Sequence, residues 1–263
     1  MKSIAAKLTM VYVSLIIIFL MFTSMGNAKI PSDAIVGIWL FDEGTGEVAK
    51  DASGNGHDGE IKGGVKWVNG EFDGALSFPG EPESYVLIPN QDSLVLTTWS
   101  ITAWVKLEKS GGQWQRILDK YGAPGSNYGL GTDDTNVLFV SFTHGARVWS
   151  ELHAKTKVAD GKWHHVAGTY DKKAVRAYVN GIFDAELAAT DIPNDVPEPV
   201  RIGGGSADFA KGIIDDVGLF NVALSLEEIN DIMKEGVGRT TGISAISFVG
   251  KLATAWGKIK AEN

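Results

Sequence analysis

From residue 29 onward the apolar runs of this 263-residue chain are short and closely punctuated by Gly, Asp, Asn and Pro, and that pattern constrains the fold more than any other feature. Residues 99–107 alternate cleanly. Trp99, Ile101, Ala103, Val105 and Leu107 fall on one face, and Ser100, Thr102, Trp104 and Lys106 on the other. Similar short runs occupy residues 35–41, 74–78, 85–88, 116–118, 128–130, 137–142, 163–170, 174–179, 200–203 and 212–220. Asn180-Gly181 between two of them is a two-residue hairpin turn, because both central positions of such a turn need positive φ. Strands do not alternate with helices, and no repeat at solenoid or propeller spacing is visible. The reading is all-β, two antiparallel sheets packed face to face. One helix is signalled, late in the chain: the capping box Ser225-Leu226-Glu227-Glu228, apolar Leu226, Ile229, Ile232 and Met233 at helical spacing, and Gly236 as the stop.

The chain has no cysteine, so no disulfide holds the fold and no lipid can be attached through an N-terminal thiol. Lys2 and Lys7, the apolar stretch 10–22 and the small residues Gly26-Asn27-Ala28 read as a secretory signal over residues 1–28. The expected location is therefore secreted or cell-surface, and no later run is long enough to span a bilayer. The domain is expected over 29–236, followed by a tail, 237–263, of unknown role that carries Trp256 among lysines. The net charge of −8 disfavours phosphate backbones and anionic lipid, so nucleic acid is excluded as a partner.

Four runs in order carry a resemblance. They are Trp39-Leu40-Phe41-Asp42-Glu43-Gly44-Thr45-Gly46 with Asp51-Ala52-Ser53-Gly54-Asn55-Gly56-His57-Asp58-Gly59; Ser100-Ile101-Thr102-Ala103-Trp104-Val105; Asp160-Gly161-Lys162-Trp163-His164-His165-Val166-Ala167-Gly168-Thr169-Tyr170 continuing to Tyr178-Val179-Asn180-Gly181; and Gly212-Ile213-Ile214-Asp215-Asp216-Val217-Gly218-Leu219-Phe220 with the helix after it. Together they resemble the laminin-G-like jelly-roll family within the concanavalin A-like lectin and glucanase superfamily. The resemblance implies a concanavalin A-like jelly-roll sandwich with one short C-terminal helix, and it leaves the ligand open.

Three kinds of chemistry are candidates. Asp42, Glu43, Asp51, Asn55 and Asp58 crowd one glycine-rich loop, and Asp215-Asp216 interrupt an apolar strand. Oxygen donors of this kind suit calcium. The resemblance implies a structural calcium tied to a late-strand Asp, carried here to Asp215 with Asp42, Asp51 and Asn55 as metal ligands. The alternative is that Asp51, Ser53 and Asn55 form turns and Asp216 faces solvent.

Second, Trp114, Tyr121, Tyr128, Arg147 and Trp149, with His144 and His153 nearby, fall in rim segments and form a candidate ligand surface. The bland reading is packing beneath loops. Third, a glycosidase needs two facing carboxyls. The nearest string, Glu71-Phe72-Asp73-Gly74-Ala75-Leu76, has Leu76 where the second Glu belongs, and pairs such as Asp133-Asp134 read as solvated charge. The expected function is a non-catalytic module that binds carbohydrate or an extracellular protein. The alternatives are a structural interaction domain and a divergent glycoside hydrolase.

Overall fold

The computed structural model describes residues 30–243 apart from Pro124 and Ser206, so the expected signal over 1–28 and most of the expected tail, from 244 onward, lie outside the described residues. Sixteen strands form two antiparallel eight-stranded sheets. In chain order they are β1 (Ile35–Trp39), β2 (Val48–Ala49), β3 (Gly59–Ile61), β4 (Lys66–Asn69), β5 (Gly74–Pro79), β6 (Val86–Ile88), β7 (Trp99–Leu107) and β8 (Gln115–Gly122). They continue with β9 (Gly125–Thr132), β10 (Val137–His144), β11 (Val148–Lys157), β12 (His164–Tyr170), β13 (Ala174–Val179), β14 (Ile182–Ala188), β15 (Val200–Ile202) and β16 (Lys211–Phe220). The first sheet runs β14-β13-β12-β7-β16-β5-β4, with β1 also on β16. The second runs β11-β10-β9-β8-β15-β6-β3-β2.

The alternation read from the sequence decides what each sheet buries. Ile101, Ala103, Val105, Val166, Ile214 and Val217 of the first sheet meet Val86, Leu118, Leu130, Val140, Phe142 and Ile202 of the second in one continuous core. Trp39 and Trp99 are fully buried, whereas Trp67, Trp104 and Trp163 are half-buried, Trp67 packing against the core. The Asn180-Gly181 turn forms as expected, with φ of 51° and 70°. Helix α1 (Leu226–Glu235) starts at the capping box: Ser225 Oγ accepts the Glu228 N–H at 3.2 Å, and the Ser225 N–H donates to Glu228 Oε2 at 2.7 Å.

A second helix, α2 (Val237–Thr241), departs from the expectation of one helix ending at 236. Its Val237 is fully buried, so the first turn of the supposed tail belongs to the fold. Its placement follows from Asp216. That residue stands at φ 52° in a bulge of β16, is buried rather than solvent-facing, and accepts the Val237 N–H through Oδ2 at 2.6 Å.

The two outer faces differ. On the first sheet, Ile38, Ala167, Tyr178 and Phe220 form a second apolar cluster with Ile30, Ala34, Ile229, Ile232 and Val237, so the N-terminal segment and the helices cover that face. Among the described residues no helix packs on the outer face of the second sheet.

Candidate functional site

The uncovered face is built from strand register. Leu118, Leu130, Val140 and Leu152 pair across β8, β9, β10 and β11 and point inward, so their neighbours point outward. One outward row is Arg116, Gly131, Phe139 and His153. The next is Arg201, Asp119, Gly129, Ser141 and Glu151. At the far end, Thr143 pairs with Trp149, and Tyr121 comes from β8. The glycines of β9 leave a floor without side chains between the larger groups on β8 and those on β10 and β11.

Of the residues expected to bind ligand, Tyr121, Arg147 and Trp149 converge. The Tyr121 and Trp149 rings stack with centroids 6.0 Å apart and planes 26° apart. Arg147 Nη2 donates to Tyr121 Oη at 2.8 Å, and its guanidinium carbon lies 5.9 Å from the Tyr121 ring centre. Trp149 is 39% exposed. Trp114 lies on the same face but packs edge-on to Phe139 at 4.9 Å and to His153 at 5.7 Å, with Arg116 beside it. Tyr128 is a correction: its ring is fully buried between the sheets and its Oη donates to the Leu94 carbonyl at 3.0 Å, so it is a core residue. The two-residue period of a strand explains the outcome, since Tyr128 shares the inward phase of Leu130.

Beside the aromatic pair is a cavity of ≈ 130 Å³ lined by Arg116, Asp119, Tyr121, Trp149, Ala207 and Asp208. That is room for a few waters or one protruding group, with the rest of a ligand lying along the face. Arg116 donates to Asp208 Oδ2 through Nε at 3.1 Å and Nη2 at 3.0 Å. Asp119 is 1% exposed and neither of its oxygens has a hydrogen-bond partner; Arg116 Nε stands 3.9 Å away. Burial pushes the Asp119 carboxyl up to about 7, against the pull of Arg116 and Arg201. The loop after β15 closes over it: a Cβ on Gly205 would stand 3.0 Å from Asp119 Oδ2.

Sequence reasoning missed Arg116, Asp119, Arg201 and Asp208. An acid within a strand, as at Asp119, was the available signal, but a bulge between Arg116 and Leu118 breaks the alternation that would have shown where it points. It also undervalued Asp133. That carboxylate is buried and accepts from Thr135 N–H and Oγ1, Val137 N–H and the His153 ring, so it is no solvated loop charge.

The residues expected to hold calcium do not form one set. Asp51 Oδ1 accepts from Ile38 N–H, Ser53 N–H and Ser53 Oγ, and Oδ2 accepts the His57 N–H. Asn55 donates to the Ile35 and Val36 carbonyls. Both are turn-forming residues that tie the loop to β1. Asp42 and Asp215 lie apart from them, at the 70–74 loop. Asp42 Oδ1 accepts the Gly74 N–H at 2.9 Å, and Asp215 Oδ2 accepts the Glu71 and Phe72 N–H groups at 2.9 Å each. Burial drives Asp215 up to about 8 and Asp216 to about 7, and the negative charge of Asp42 adds to both. Among the described residues no group of three His, Cys, Asp or Glu side chains is placed to hold one ion, and the four expected ligands fall in two separate places. What remains is Asp215 Oδ1, buried and without a partner.

The family described as the Concanavalin A-like lectin/glucanases superfamily matches residues 79–230. No curated protein matches the chain in sequence. Among solved structures, the binding domain of Paraclostridial Mosquitocidal Protein 1 is similar at TM-score 0.64 and 16% identity, over 77% of this chain and 52% of that one. The binding domain of botulinum neurotoxin DC in complex with SialylT is similar at 0.60 and 15%, over 77% and 51%. Domain 4 of AbnA, a GH43 extracellular arabinanase from Geobacillus stearothermophilus, in complex with arabinotriose, is similar at 0.58 and 20%, over 76% of this chain and 98% of that one. The chain spans about half the length of the toxin domains it matches. At these identities the likeness is one of fold.

Proposed function

As the chain belongs to the concanavalin A-like lectin/glucanases superfamily, we propose that it is a non-catalytic, exported recognition domain that binds carbohydrate on the outer face of its second sheet. One observation carries this reading: the stacked, part-exposed pair Tyr121–Trp149 stands beside a polar cavity on a glycine-floored face that no helix among the described residues covers. Aromatic faces bury the apolar side of a sugar ring, and fixed polar groups beside them orient its hydroxyls. That a similar fold is solved with arabinotriose and another with SialylT supports the reading.

The acids of the face do not oppose each other as hydrolysis would require. Asp208 is held by Arg116, Glu151 bonds His153 at 2.9 Å, and Asp119 lies beneath Gly205. Screening the purified chain on a glycan array, followed by titration of hits against Trp149→Ala, tests the proposal. Loss of binding in the variant supports it; equal binding by variant and wild type overturns it.

A second reading, an interaction module without small ligand, rests on Ile182 and Phe183. They are 69% and 48% exposed at the start of β14, an edge strand. Replacing both with Ser separates the readings: glycan binding survives the change if the sugar face is the working surface. The structural calcium is carried forward as a separate proposal on Asp42 and Asp215 alone.

A further inference from the structure

We infer that the sugar taken by this face is acidic, with its carboxylate held by Arg147 beside the Tyr121–Trp149 stack. The inference rests on the carbohydrate reading above and adds the ligand's charge.

Arg147 ends the three-residue turn Gly145-Ala146-Arg147 that joins the paired residues His144 and Val148. It stands at φ 65°, in the left-handed region where glycine is the easy choice. The exposed guanidinium is held by a neutral group, Tyr121 Oη, and among the described residues it forms no ion pair. Arg201 is similar: Nη1 donates to the Tyr121 carbonyl at 3.4 Å, its guanidinium lies 5.7 Å from the Tyr85 ring centre, and no carboxylate is bonded to it. Arg116, by contrast, is matched by Asp208, and Arg176, on the other sheet, by Asp171 and Glu186. In a chain of net charge −8, an exposed arginine with no ion pair among the described residues runs against the overall sign, and Arg201 on the same tyrosine has the buried Asp119, its cross-strand neighbour, as its nearby opposite charge.

The acids nearby do not cancel the charge of Arg147. Glu151 is engaged by His153, Asp119 is buried, and Glu198 packs against Gly122, where its own carbonyl takes Lys120 Nζ at 2.6 Å. A planar guanidinium fixed by a phenol presents its remaining N–H groups as a fork, which fits a carboxylate on two oxygens. The indole beside it covers the ring that bears the carboxylate.

Uronates and sialates share this chemistry, and paired ligands distinguish them. The purified chain is titrated calorimetrically with galactotriose and trigalacturonate, and with lactose and 3′-sialyllactose. The expected result is that the acidic member of at least one pair binds about tenfold tighter, as one added charge-assisted hydrogen bond predicts. Arg147→Gln removes the difference between the two members of a pair, while Trp149→Ala weakens both members. Equal affinity within both pairs overturns this inference and leaves the carbohydrate reading standing. Acid-selective binding that survives Arg147→Gln also overturns it, as diffuse charge attraction. If the glycan array gives no hit and none of these ligands binds, both fall together.

Discussion

The rings of Tyr121 and Trp149 stack 6.0 Å apart although they come from β8 and β11, strands separated by both β9 and β10. Strands three places apart lie about 14 Å from each other. The two side chains meet because each leans over a lane of small residues, Gly125, Ser126 and Gly129 on β9 and Ser141 and Thr143 on β10. The proposed ligand surface is thus made by what the middle strands lack as well as by what the outer ones carry.

That lane gives a first prediction. The backbone of Gly129 lies outside the positive-φ region, and a Cβ there would meet Ser141 Oγ at 3.4 Å, an ordinary contact. Gly129→Ala is expected to leave stability unchanged or raised by a few tenths of a kcal/mol. A Cβ on Gly131 would run into the Gln115 carbonyl oxygen and stand 2.7 Å from the Phe139 ring. Gly131→Ala is expected to destabilise by about 1–3 kcal/mol. Urea midpoints of the two variants check the contrast.

Trp149→Ala is expected to reduce glycan affinity about tenfold, from loss of a stacking surface. Its effect on stability should stay below about 1 kcal/mol, because the indole is already part-exposed. Tyr128→Phe should do the opposite. It removes the bond to the Leu94 carbonyl, costs about 1 kcal/mol and leaves sugar binding alone. Parallel titration and unfolding of both variants would show whether site and core separate in this way.

The pH dependence of stability follows from buried carboxyls. Asp215 is pushed up to about 8, and Asp216 and Asp119 to about 7, so the folded chain holds protons that the unfolded chain has released above pH 4. Stability then falls as pH rises toward 8. His165 works the other way: burial holds it down to about 3, so folding gains as pH rises from there to about 6.5, and it contributes no further change above. Above pH 6.5 His153, raised against the effect of burial by its bonds to Asp133 and Glu151, acts with the carboxyls. Lys120, lowered by burial to about 8, opposes them from there upward, so unfolding midpoints are expected to drop between pH 6.5 and about 7.5. Asp215→Asn keeps an acceptor for the Glu71 and Phe72 N–H groups and should flatten the drop. A wild-type curve that stays flat contradicts the assignment.

The same two proteins test calcium. On the proposal that Asp42 and Asp215 hold an ion, calcium raises the wild-type thermal midpoint relative to chelator, by mass action on the folded state, and does not move Asp215→Asn. No response in either would leave the protons as the counter-charge of this cluster.

The helix cap supplies a local check. Ser225 Oγ accepts the Glu228 N–H and the Ser225 N–H donates back to the Glu228 carboxylate, so Ser225→Ala should lower stability by about 1 kcal/mol without touching the sugar face. Denaturant midpoints and glycan affinity measured together decide it.

Local patterning was enough to determine the class of fold, the turn at Asn180-Gly181 and the capped helix. Each depends on residues within a few positions of one another, through the two-residue period of a strand or the reach of a cap. The gathering of Tyr121, Arg147 and Trp149 was legible only as three polar or aromatic residues in one stretch of chain. Their meeting needed the β8–β9–β10–β11 order, which no local rule supplies. The partners Arg116, Asp119, Arg201 and Asp208 were hidden for the same reason, since β15 and its following loop join β8 from far along the chain. Tertiary structure also divided the acidic loop, giving Asp51 and Asn55 to turns and Asp42 and Asp215 to a buried cluster, because a carboxylate's role is set by which N–H groups and which low-dielectric surroundings the fold brings to it.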